Sequence, residues 1–207
     1  MDSALYKIAT WIMRLAYVNI LWITLTLTGA IIVGFFPAMT SMFAVVRQWV
    51  MGNTDVPIFN TMWKTYKSEF LRSNILGSML IFIGIVLYID FLFFDVIAAQ
   101  FNNLFMFIFF TLLLVYFMLI SFIFPVIVHF DMKTLTYLKY ALVFGASYPL
   151  NAFYIILTII FIVYGSISFP VVAFFFAGSL LSLISMRFAY TAFQRNEEKR
   201  FLSSNND

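Results

Sequence analysis

The sequence predicts an all-α, polytopic membrane helix bundle, and three observations predict it. The chain is 64% hydrophobic and only 10% charged, whereas soluble domains carry about 25% charged residues. Charge-free stretches of spanning length recur along it, because about 20 residues at 1.5 Å each match a hydrocarbon core of roughly 30 Å. The 12 Lys and Arg residues fall on alternate sides of those stretches, as cytoplasmic flanks collect them. With no Pro/Ser/Gly-rich or long polar linker, residues 1–207 form one integral membrane domain. Cysteine is absent, which removes disulfides, thiolate nucleophiles and thiolate metal sites.

Taken in order, Leu5, Ile8, Trp11, Ile12 and Leu15 recur at steps of three and four, the spacing of an interfacial helix. It leads into a first span over about 16–34, read as an uncleaved anchor because more membrane segments follow. Gly34, Phe35, Phe36 and Pro37 break it, and proline disfavours helix at the residue before it. A second, shorter segment over 37–50 is expected to return, with a submerged tip. Asp55 and Pro57 give a helix start signal for an amphipathic helix over 56–72. Its apolar face carries Phe59, Met62, Trp63, Tyr66 and Phe70, against Lys64, Lys67 and Arg72. Such a helix lies on lipid headgroups or against a partner. Four further spans are expected at 75–94, 104–128, 149–164 and 169–188, with a joining helix over 137–144.

The return decides the topology. With it, Lys7, Arg14, Arg47, Lys64, Lys67, Arg72, Lys133, Lys139, Arg187, Arg195, Lys199 and Arg200 all fall inside. Without it, Lys7 and Arg14 face outward. The expectation is about six membrane segments, the second short, both termini cytoplasmic and the amphipathic helix on the cytoplasmic side.

Chemistry is sparse. Ionisable groups at membrane depth are costly and draw attention, and Asp90 and Asp95 are the acids in or at the end of a span. They suit an interfacial role, a substrate or cation contact, or a proton relay. His129 is the only histidine, so neither a bis-histidine haem nor a multi-histidine metal site is available. It stands beside Asp131, either as a hydrogen-bonded pair anchoring a helix end or as an acid/base dyad. Gly178, Ser182, Ser185 and Ala189 form a small-residue stripe for close helix packing. No catalytic activity, cofactor or metal is expected, and nothing suggests a nucleic-acid partner.

Asn19, Ile20, Leu21 and Trp22, then Gly34 through Ala38, then Arg47, Gln48 and Trp49, then Trp63, Tyr66, Lys67, Glu69, Phe70, Asn74 and Gly77 together form a pattern. With Pro125, His129, Phe130 and Asp131, it resembles the YesL-like family of bacterial integral membrane proteins. The resemblance is dense before Gly77 and mainly hydropathy after Gly145. It implies a Gram-positive cytoplasmic membrane protein, commonly encoded among carbohydrate-utilisation genes beside ABC importers, with no established catalytic residue set. The expected function is an accessory or regulatory subunit of oligosaccharide ABC import, its partners the bilayer and the importer's permease subunits. A stand-alone small-solute transporter is the alternative, with aromatic residues such as Trp22, Trp63 and Tyr66 able to stack sugars, and an intramembrane enzyme using His129 and Asp131 is a third reading.

Overall fold

The computed structural model describes residues 4–204, and the side chains at 4, 94–103, 200, 203 and 204 lie outside that description. Among the described residues there are eight helices: α1 Ala4–Thr28, α2 Ile32–Val50, α3 Ile58–Ser68, α4 Phe70–Leu92, α5 Phe94–His129, α6 Thr134–Ser147, α7 Pro149–Ser168 and α8 Pro170–Ser204. The all-α polytopic class holds. Five helices are long and apolar enough to cross a membrane: α1, α4, the part of α5 from Leu104, α7, and α8 as far as Lys199.

The sixth expected segment is α2, and its lower apolarity has a structural reason. Of its 19 residues 11 are buried, against three of 20 in α7. Packed on α1, α3, α4, α5 and α8, α2 turns its side chains to protein rather than lipid, so Thr40, Ser41, Arg47 and Gln48 are tolerated. Its own Met42, Phe43 and Val45, with Val18, Phe122 and Met186 around it, are fully or nearly fully buried.

The reversal between α1 and α2 falls earlier than Gly34 to Pro37. It lies at residues 29–31, and Pro37 sits inside α2, where the missing amide leaves only the Val33 carbonyl without a helical donor. Ala30 and Ile31 have φ of 53° and 63°. The Ile31 amide donates to Thr26 O at 3.0 Å and the Ala30 amide to Leu27 O at 3.1 Å, the paired bonds of a Schellman cap with Ala30 where glycine usually stands. The amides of Gly29, Ile32 and Phe35 also have carbonyl partners. A turn with its amides satisfied suits a low-dielectric environment, where each unpaired group costs several kcal/mol. The backbones meet closely there, since a Cβ on Gly34 would lie 2.8 Å from Gly29 Cα.

Register along α2 shows how deep this turn reaches. Thr40 Oγ1 and Ser73 Oγ share a hydrogen bond of 2.8 Å, Phe36 lies on Gly77, and Ile32, Val33, Ser78 and Ile81 line one cleft. The turn therefore stops level with Ile81, the middle of α4, and α4 continues for 11 residues to Leu92, about 16 Å.

Several other boundaries differ from expectation. The loop expected at 95–103 is helical backbone at the start of α5, and α8 continues past residue 188 to Ser204. The joining helix α6 is longer than 137–144. Asn19, only 1% exposed, ties α8 to α1: its Nδ2 donates to Phe174 O at 2.7 Å and its Oδ1 accepts the Ser179 amide at 3.0 Å. The small-residue stripe on α8 faces this same chain, with Gly178 against Asn19, Trp22 and Met42.

Candidate functional site

The polar chemistry gathers at one end of the bundle, where the C-terminal ends of α2 and α5 meet α3 and the start of α4. The amphipathic helix is shorter than the expected 56–72. Glu69, with φ −97° and ψ 3°, breaks the run, so α3 ends at Ser68 and Phe70 opens α4. Its apolar face is divided: Met62 and Tyr66 are buried, while Phe59 and Trp63 are 51% and 39% exposed. Tyr66 stacks on Trp63 at 6.1 Å and meets Phe70 edge-on at 5.5 Å. Lys67 Nζ lies 4.4 Å from the Trp63 ring centroid. One side of α3 is thus core, packed on α2, and the other is an exposed aromatic and basic edge.

His129 and Asp131 do not pair; each reaches a different arginine. Arg47 Nε donates to His129 Nδ1 at 3.3 Å, joining the last turn of α2 to the end of α5. The imidazole is packed by Phe130 and Phe193, both with centroids at 4.7 Å. Asp131, on the exposed loop, lies 3.8 Å from Arg72 Nη1. The separation has a cause: Phe130 leaves the helix with φ −112° and ψ 152°, swinging Asp131 away from the ring.

Arg72 is the hub of a second knot that sequence reasoning missed. It reaches Glu69 Oε1 at 3.2 Å and donates to Tyr137 Oη at 3.1 Å. Tyr137, fully buried, donates to Phe130 O and accepts the Met132 amide, both at 3.1 Å. One phenol thereby fastens the α5–α6 loop to α4. Burial holds the Glu69 carboxyl above the usual carboxylate range; the Arg72 charge pulls it down, Asp131 pushes it up, and the Arg72 hydrogen bond pulls it down. Glu69 Oε2 is buried without a hydrogen-bond partner.

Between α2, α3 and α5 lies a polar cleft of about 240 Å³, lined by Arg47, Gln48, Thr61, Thr65, Ser68 and Glu69, with Thr40 and Ala44 along α2 and Ile127 and Val128 on α5. The other clefts described are apolar. One between α4 and α5 is lined by Asp90 together with Phe82, Leu87, Leu112, Tyr116 and Leu119; Asp90 makes no ion pair among the described residues. No group of three or more metal-ligating side chains exists among the described residues. The side chains of Asp95 and Arg200 lie outside the description.

Apolar spans packed around a buried central helix, with cationic and aromatic groups gathered at one end, define a polytopic α-helical membrane protein. The chain belongs to the YesL-like family. Residues 15–91 match the family described as "Protein of unknown function, DUF624". From Bacillus subtilis, the chain is similar to YteU (34% identical, covering 93% of this chain and 86% of YteU). It is also similar to YesL (32%, 96% and 93%) and YesV (34%, 94% and 94%), all three described as uncharacterized. No solved structure matches it.

Proposed function

We propose that this is a non-catalytic accessory or regulatory membrane subunit of an oligosaccharide ABC importer, held in the cytoplasmic membrane with both termini inside. The observation that carries the reading is the filled axis of the bundle. Ala38, Met42, Val45 and Val46 of α2 are 0% exposed, so side chains rather than a polar passage occupy the position a solute path would take. What stays open is the edge of α3 bearing Phe59, Trp63 and Lys67, beside the basic ends of the bundle. The family resemblance supplies the partner: importer permease subunits. The orientation rests on basic flanks staying inside, and it is supported by the contacts that gather them at one end, Arg14 with Asp55 at 3.6 Å and Trp11 with Trp49 at 5.4 Å.

Extraction in mild detergents and affinity capture of this chain tests the proposal. Recovery of permease subunits is the expected result. Their loss in every detergent, together with solute uptake by proteoliposomes holding this chain alone, would establish the stand-alone transporter in its place.

A further inference from the structure

Arg47 and Glu69 line one cleft and form no ion pair with each other among the described residues. Arg47 is half-buried, and its one hydrogen bond runs from Nε to the His129 ring nitrogen. Its two terminal nitrogens, a fork shaped for phosphate or carboxylate, have no protein acceptor among the described residues. Across the cleft, Glu69 accepts from Arg72 at Oε1 and keeps Oε2 buried and unbonded. A buried acceptor without a partner is a cost that a bound donor would remove.

We propose that this cleft binds a small zwitterion of the phosphoethanolamine class, its phosphate on Arg47 and its primary ammonium on Glu69. A simple anion is repelled by Glu69 and a simple cation by Arg47, so a ligand carrying both charges satisfies both groups. Gln48, Thr61 and Thr65 supply further donors for the phosphate oxygens. A sugar is disfavoured because no aromatic ring lines the cleft, leaving no platform for stacking. The volume of about 240 Å³ lies below the roughly 300–1,000 Å³ of drug-sized pockets, in keeping with a headgroup. Its depth fits too, at the ends of α2 and α5 and the start of α4, where spanning helices meet headgroups. Burial raises the Glu69 pKa, although the Arg72 charge pulls it down. This inference does not depend on the importer as partner.

The full-length protein, delipidated in detergent, is titrated with phosphatidylethanolamine, phosphatidylglycerol and phosphatidylcholine of the same acyl chains, read by native mass spectrometry and thermal shift. Phosphatidylethanolamine is expected to bind at least tenfold more tightly than either, since phosphatidylglycerol lacks the cation and the choline headgroup has no N–H for Glu69. Glu69→Gln abolishes that preference, while Arg47→Gln weakens binding of all three lipids; should Arg47→Gln fail to fold, the isosteric Glu69→Gln carries the test. Soluble phosphoethanolamine competing with the lipid identifies the headgroup as sufficient, while lipid binding it fails to displace identifies the membrane as the source. Equal binding of the three lipids, or a preference that persists in Glu69→Gln, overturns the proposal.

Discussion

Arg47 Nε reaches His129 Nδ1 at 3.3 Å and so closes one end of the bundle across 82 residues of sequence. Because the guanidinium is permanently charged, the ring nitrogen facing it is an acceptor. His129→Gln keeps an acceptor and stays near wild-type stability. His129→Leu leaves Arg47 without it and costs about 1–3 kcal/mol, read by thermal or urea denaturation in detergent. Equal losses in the two variants would show that ring packing, rather than the hydrogen bond, matters there.

The α1–α2 turn holds Ala30 at φ 53° in a cap position that favours glycine. Left-handed backbone costs a residue with a Cβ roughly 1–2 kcal/mol. Ala30→Gly is therefore expected to stabilise the protein by about 0.5–1 kcal/mol, raising its detergent melting temperature, and Ala30→Val to lower it.

Neighbouring aromatic residues of α3 have separable roles. Tyr66, 6% exposed, anchors α3 on α2, so Tyr66→Ala costs about 3 kcal/mol or more. Trp63, 39% exposed, keeps one side open. Trp63→Ala leaves stability within about 1 kcal/mol and reduces capture of the permease subunits. If both variants only destabilise, the edge has no docking role.

These helices differ in how readable they are. α4 and α7 were legible because both run without charge through a stretch that faces lipid. The α1–α2 turn was misplaced because Pro37 looks like a breaker, yet it sits early enough in α2 to be accommodated. The signal for the true turn was Gly29 and Gly34, five residues apart, where two backbones touch. Phe59, Trp63 and Tyr66 share an amphipathic face in sequence, but only packing shows that Tyr66 is core. The pairings of Arg47 with His129 and Arg72 with Tyr137 join residues 82 and 65 apart, and helical periodicity carries no trace of such contacts.

Glu69 gives a pH dependence with a definite sign. Its folded pKa is raised, so the folded state binds the proton more tightly than the unfolded chain does. Its contribution to stability is fully present below the ordinary glutamate value of 4.5 and is lost as pH rises through the folded pKa. Relative to Glu69→Gln, the wild-type protein loses stability between pH 4.5 and the upper end of that window. Parallel profiles for the two proteins would contradict this.

The α1–α2 hairpin, by returning to the side from which it enters, sets the side on which every later loop lies. The chain contains no cysteine, so single cysteines report topology cleanly. Asn53→Cys, in the loop between α2 and α3, is predicted to resist a membrane-impermeant maleimide in intact cells and to react once the cells are opened. Ser168→Cys, at the α7–α8 tip, reacts from outside. Labelling of Asn53→Cys in intact cells would contradict the return, and with it the gathering of the basic residues on the inner face.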